Sequence, residues 1–305
     1  MEQTLAHGKT PTATPKWAKL GGYTGPMVKH PARITAFLLG LPGEGKSAFL
    51  QSCPDAFILN LDKTSTTTPE VKASIWPGVN SDGEAINSEG NSFVLTCDHV
   101  NQKLAVLREL ANNDEPRPKL IVFDSLTEWV RLLRNWVPRN ALSLGIHGSN
   151  TENWRELHGP AAWDELYGIV VETIADLANH GYGVYLVGHM VNETIPLGDD
   201  RYAFRPGLTI TPKFWKRLYD MFEMVGYVYR EEVTKVEEVE EKVTIRGEEK
   251  LKKRRVSNSS KKYFFTADKK DFEGLLKQRV ELPDQIELPH AGGWEAFERA
   301  YVQAM

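Results

Sequence analysis

The chain has 305 residues, of which 41% are hydrophobic and 26% charged, and a formal net charge of -4. Those proportions belong to an ordinary globular protein, long enough for one large α/β domain with an elaboration. They exclude a global basic field as the means of finding nucleic acid, and Cys53 and Cys97, the only cysteines, stand in no spacing that supports a disulfide framework or a zinc site.

Residues 1–30 are rich in Thr, Pro, Gly and Lys, with Trp17 and Tyr23 their only large aromatics, and read as a flexible N-terminal arm. The arm is either a disordered tail or a segment that docks on a neighbouring subunit through one of those rings. No basic and apolar leader pattern opens the chain and no stretch approaches a membrane span, so the expectation is a cytoplasmic protein without a membrane partner, in the host cytoplasm if phage-encoded.

From Arg33 strands and helices alternate. The short apolar runs 34–39, 57–61, 93–96, 120–123 and 184–187 are of the kind buried on both faces of a parallel sheet. Between the last two, Trp163, Leu166, Val170, Ile174 and Leu177 repeat at helical spacing, and Gly181 is placed to cap the helix. The pattern predicts an α/β fold, a doubly wound and mostly parallel sheet over residues 31–225. Residues 226–305 continue differently: 226–266 alternate Val, Tyr, Thr and Ile with charges around Gly247, predicting antiparallel strands or a long hairpin, before a closing helix. The acidic block 231–241 and the basic block 250–255 are spaced to pair across those strands. Such a hairpin is either a solvated elaboration or a nucleic-acid contact through Lys252, Lys253, Arg254, Arg255, Lys261 and Lys262.

The run 34–39 leads into Gly40, Leu41, Pro42, Gly43, Glu44, Gly45, Lys46 and Ser47, the pattern G-x-x-x-x-G-K-[ST]. The glycines let consecutive backbone N–H groups turn toward phosphate oxygens. Lys46 reaches the β- and γ-phosphates, Ser47 holds Mg²⁺, and Ala48 continues into the following helix. This makes ATP and Mg²⁺ the expected ligands. The run 120–123 ends in Asp124, which holds the metal shell from a strand neighbouring the phosphate loop, caps the next helix, or does both. The run 57–61 ends in Asp62, either the group that activates water or a turn-forming residue. The run 184–187 ends at Gly188 and His189, where a polar side chain faces the γ-phosphate as a sensor or serves the structure alone.

This order of parts, ending with Lys277, Gln278 and Arg279, resembles the RecA superfamily over residues 33–300, and within it compact phage ATPases of nucleotide-binding or single-strand annealing type. The resemblance implies that Asp62, one methylene shorter than the family's Glu, activates water. His189, in the RadA-like stretch 187–193, would sense the γ-phosphate, and Lys277 and Arg279 would enter a neighbouring subunit's nucleotide site as cationic fingers. It also implies that the loops after the Asp124 and His189 strands hold single-stranded DNA. Loop 192–211 carries Arg201, Tyr202, Phe204 and Arg205, followed by Lys213, Trp215, Lys216 and Arg217, and interleaved cations and rings suit phosphates and bases. Loop 139–155 offers Arg139, His147, Asn150 and Trp154.

The leading expectation is an oligomeric, DNA-stimulated ATPase that binds single-stranded DNA in phage-type recombination or annealing, in a filament or ring, with a single-strand DNA-binding protein as a further partner. The alternatives are a ring-forming motor or helicase-type ATPase, and a nucleotide-gated binding module with negligible turnover. A guanine-reading [NT]-K-x-D element and a transporter-type signature are absent from the sequence.

Overall fold

The computed structural model describes residues 29–64, 71–141, 143–144, 159–198, 201–208, 210–245, 248–267, 276–289 and 293–305. The arm with Trp17 and Tyr23, and His147, Asn150 and Trp154 of the first candidate DNA loop, lie outside the described residues. In chain order the elements are β1 (Thr35–Leu39), α1 (Lys46–Gln51), β2 (Ala56–Asn60), β3 (Ser74–Trp76), β4 (Gly78–Val79), β5 (Ala85–Ile86), α2 (Cys97–Asn112), β6 (Leu120–Asp124), α3 (Leu126–Trp136) and α4 (Gly159–Asn179). There follow β7 (Gly183–Val187), β8 (Met190–Gly198), β9 (Arg201–Leu208), α5 (Pro212–Met221), β10 (Met224–Ile245), β11 (Glu248–Thr266), β12 (Ile286–Leu288) and α6 (Gly293–Gln303).

One eight-stranded sheet runs β12-β11-β10-β1-β7-β6-β2-β3. The six strands from β10 to β3 are parallel, and β11 and β12 extend them antiparallel. The fold is thus α/β, a mostly parallel sheet with antiparallel strands toward the C-terminus.

The apolar runs become parallel strands because both their faces are covered. Every residue of β1, β6 and β7 is buried, and alternate side chains feed two cores. Phe37, Ile121, Phe123, Val184 and Leu186 pack under α2 to α5, while Leu38, Val122 and Tyr185 pack under α1 and α6 with Phe49, Trp294 and Phe297. Gly181 caps α4 as expected: at φ 83°, where a side chain is disfavoured, its N–H reaches Ala178 O at 2.9 Å and Tyr182 N–H reaches Leu177 O at 3.1 Å.

Three local expectations differ from the structure. Residues 93–96 are not a sheet strand. Val94 is 82% exposed, and the segment runs into α2, with Thr96 as its N-cap and His99 closing the reciprocal contact. The edge of the sheet is instead β3, three residues without an apolar run. Asp124's strand is not beside the phosphate-loop strand either, since β7 lies between β6 and β1. Finally, residues 192–211 do not form an irregular loop: β8 and β9 pair as an antiparallel ribbon, with Glu193 opposite Arg205 and Thr194 opposite Phe204.

The predicted long hairpin is β10 with β11. Its register sets Glu238 opposite Arg255, Glu240 opposite Lys253 and Glu241 opposite Lys252, so the acidic and basic blocks do face one another.

Candidate active site

The carboxyl ends of β1, β7, β6 and β2 deliver the phosphate loop, His189, Asp124 and Asp62 to one edge of the sheet, as open parallel sheets deliver their ligand sites. A cleft of about 420 Å³ opens there, lined by Gly43, Glu44, Gly45, Lys46, Ser47 and Ala48 on one side and by Asp62, Thr64 and His189 on the other. Gly45 precedes α1 in the left-handed conformation at φ 89°, and a side chain added there would stand 2.8 Å from the Tyr263 ring. Glycine is required by both conditions.

Lys46 is buried and donates to the carbonyls of Gly40 and Leu41, each at 2.8 Å, so the Gly40 carbonyl helps hold the lysine over the loop. Burial lowers its pKa, opposed by the nearby charges of Asp124, Glu44 and Asp62. Asp124 is buried at the floor and hydrogen-bonded by Ser47. Desolvation pushes its carboxyl up to about 6, against the Ser47 hydrogen bond and aided by the charge of Asp62. Helix capping belongs to its neighbour, for Ser125 Oγ is the N-cap acceptor of α3.

Asp62 is not a free turn carboxylate. It accepts from Ser125 Oγ at 2.7 Å and from His189 Nε2 at 2.9 Å, and an ionised carboxylate requires His189 to carry its proton on Nε2. Burial raises the Asp62 carboxyl, but the hydrogen bonds from His189 and Ser125 outweigh it and hold the group below its ordinary value. The backbone locks this pairing, because the N–H groups of Leu61 and Asp62 both donate to Asp124 O, at 2.7 and 3.0 Å. The sequence-predicted Lys46, Ser47, Asp62, Asp124 and His189 therefore meet in one site.

The residues fit a nucleoside triphosphate with a divalent cation. The loop and Lys46 suit the phosphates, and Ser47 with Asp124 offers hard oxygen ligands beside them. No cluster of three His, Cys, Asp or Glu side chains stands ready for a metal among the described residues. A cation at Ser47 and Asp124 would accordingly draw the rest of its shell from phosphate and water, the usual habit of Mg²⁺.

Lys277 and Arg279 do not line this cleft. Lys277 bridges Val225 through both backbone bonds, at 2.7 and 3.2 Å; its Nζ donates to Tyr219 O at 3.0 Å and lies 5.0 Å from the Tyr219 ring centroid. Arg279 is 62% exposed, 3.9 Å from Glu223, whose N–H bonds Thr35 O at the amino end of β1. Both cations thus lie toward the end of β1 opposite the phosphate loop. Lys213 is on α5 and is paired with Asp164 at 2.8 Å, Arg217 approaches the same carboxylate at 3.6 Å, and Trp215 packs edge-on against Phe37 in the core.

Sequence reasoning missed Ser125 and the C-terminal wall. Ser125 and Glu128 form the S-x-x-E pattern of a helix start, which was signal enough for that hydroxyl. Nothing in the sequence marks Tyr263, Leu288, Pro289 and Gly293, which close the cleft from β11, β12 and α6. They make a shelf of ring and aliphatic surface suited to a nucleoside. Replacing Tyr263 by Ala is expected to raise the nucleotide KM about tenfold with a much smaller change in kcat, because stacking serves bound substrate and transition state alike; steady-state phosphate release measures both.

The AAA domain family model matches residues 32–266. No curated protein matches the chain. Among solved structures, a KaiC-like protein from the hyperthermophilic archaeon Pyrococcus horikoshii OT3 is similar at 12% identity, over 86% of this chain and 89% of that one, with a TM-score of 0.34.

Proposed function

Because the chain belongs to the AAA domain family of P-loop ATPases, we propose that it is a Mg²⁺-dependent ATPase that binds single-stranded DNA and serves phage-type recombination or strand annealing as an oligomer. The observation that carries the ATPase part is the convergence of Lys46, Ser47 and Asp124 with the Asp62–His189 pair in one cleft. A cation bound at Ser47 and Asp124 would neutralise charge developing on the phosphates. Lys46 holds the β- and γ-phosphates, Asp62 orients and deprotonates the attacking water, and His189, bonded to Asp62, answers to the γ-phosphate. Lys277 and Arg279 are too far round the sheet to act on their own nucleotide. Their placement supports a role in a neighbouring subunit's site, where Arg279 would stabilise charge on the transferring phosphoryl group.

The DNA part rests on the resemblance and on the ribbon carrying Arg201, Tyr202, Phe204 and Arg205. The test is phosphate release with and without single-stranded DNA across protein concentration. Rates that rise with both support DNA stimulation and trans-acting cations together; rates indifferent to both, with no DNA binding in any nucleotide state, sink the proposal.

One observation favours a second reading, a nucleotide-gated binding module. Asp62 already accepts two hydrogen bonds, and a base so engaged is slow until released. Asp62→Asn decides between them. A true hydrolase is expected to lose about 100-fold in kcat while keeping nucleotide affinity, the usual scale for a general base. A wild type no faster than the variant leaves the gated module.

A further inference from the structure

A second recess lies between the amino-terminal turns of α3 and α4 and the start of α5. It has a volume of about 270 Å³, and its walls include Thr127, Arg131, Arg134, Trp163 and Tyr167. Arg131 also lines a neighbouring recess of about 440 Å³ with Lys63, Phe93 and the exposed Val94. The two meet at that arginine as one track along the carboxyl edge of the sheet.

Its chemistry alternates cations with rings. The Arg134 guanidinium lies 5.4 Å from the Trp163 ring centroid, Trp163 is 5.5 Å from Tyr167, and Tyr167 stacks on Phe214 at 3.9 Å. The buried member of this ladder is anchored by its hydroxyl, 3.1 Å from Thr211 Oγ1, so the rings are held before any ligand arrives. Four cations of the rim, Arg131, Arg134, Lys213 and Arg217, are set against two carboxylates, Glu128 and Asp164; Lys216 and Glu165 add one of each sign. In a chain of net charge -4 this rim is locally positive.

We propose that this track, rather than the β8–β9 ribbon alone, seats the single DNA strand, with bases against Trp163 and the Arg134 plane and phosphates on Arg131 and Lys63. The inference rests on the DNA-binding function proposed above. Exposed cations spaced between rings match a strand whose phosphates and bases alternate. The track also has a covalent route to the nucleotide. Arg131 and Arg134 ride on α3, whose N-cap Ser125 is the hydroxyl that donates to Asp62. A strand that moves α3 moves the group holding the proposed base, which is how DNA would set the rate of hydrolysis.

Binding of a labelled dT oligomer of about 20 nucleotides, followed by anisotropy with a non-hydrolysable ATP analogue, tests the track. The double variant Arg131→Glu/Arg134→Glu alters exposed positions, and its melting temperature reports folding. Its affinity is expected to fall at least about tenfold, with the salt dependence of log Kd reduced by about 1.4 for two lost phosphate contacts. Arg201→Ala/Arg205→Ala should change both less. In the wild type, photocrosslinks from a bromouracil oligomer should map to peptides containing Trp163 or Tyr167. If the wild type binds DNA but the α3 variant keeps its affinity and salt slope, and crosslinks fall only on residues 201–205, the track is overturned while DNA binding stands. If the wild type binds no strand in any nucleotide state, DNA binding fails and the track fails with it.

Discussion

Replacing Lys46 by Ala is expected to lower kcat/KM for ATP by about 1,000-fold or more and to abolish detectable nucleotide binding at micromolar concentrations, the scale of losing a preorganised cationic donor from a dry site. Lys46 is 4% exposed and its ammonium is held by the carbonyls of Gly40 and Leu41. It is therefore already desolvated and aimed, and phosphate oxygens have only to replace two carbonyl oxygens. Its second task is charge balance. Glu44, Asp62 and Asp124 all act on Lys46, and without it three carboxylates face an incoming polyanion. Glu44 itself is raised by burial and shares a hydrogen bond with Tyr227 at 3.4 Å, so it relieves part of that repulsion by holding a proton more tightly. Fluorescent-nucleotide titration and phosphate release measure the two losses. Turnover within about tenfold of wild type would remove Lys46 from the machinery.

The parts of this site that were readable in the sequence are those whose chemistry is local. Eight consecutive residues carry the phosphate loop, and a parallel strand buried on both faces is a run of apolar residues, so its carboxyl end can be found and the polar residue beyond it named. Asp62, Asp124 and His189 were each found in that way. What could not be read is which strand ends are adjacent. Strand order depends on packing of α2 to α5 over one face and α1 and α6 over the other, and it put β7 between β6 and β1. The same holds for the cleft wall. Tyr263 meets Gly45 across more than 200 residues of chain, because β11 is pinned to β10 and β10 to β1, and no short-range pattern encodes that contact. Residues 93–96 misled for a related reason. An apolar run of four is as compatible with a helix lead-in resting on Trp76 as with a strand, and Val94 points outward. Trp215 likewise has the composition of a DNA contact and the position of a core residue.

Asp124→Asn is expected to destroy turnover and yet to stabilise the protein when no metal is present. The sign follows from burial. An Asp whose carboxyl is pushed up to about 6 from its ordinary 3.8 binds its proton more tightly when folded than when unfolded. The ionised form therefore opposes folding: the penalty is absent below about pH 4, grows as the pH rises through the folded value, and is complete at neutral pH. A shift of this size corresponds to an order of 2–3 kcal/mol. Asn cannot ionise, and its carbonyl oxygen still accepts from Ser47, so the variant escapes the penalty without leaving that hydroxyl unpaired. In a chelator-treated sample at pH 7.5 the variant should melt about 4–6 °C above wild type, and the difference should vanish near pH 4. With nucleotide and Mg²⁺ added the order should reverse, because only the carboxylate can ligate a cation at Ser47. A variant less stable than wild type in chelator at neutral pH would show that Asp124 is ionised there at no cost, and that the buried charge is compensated by Lys46 more fully than its partly opposed contacts with Gly40 and Leu41 allow.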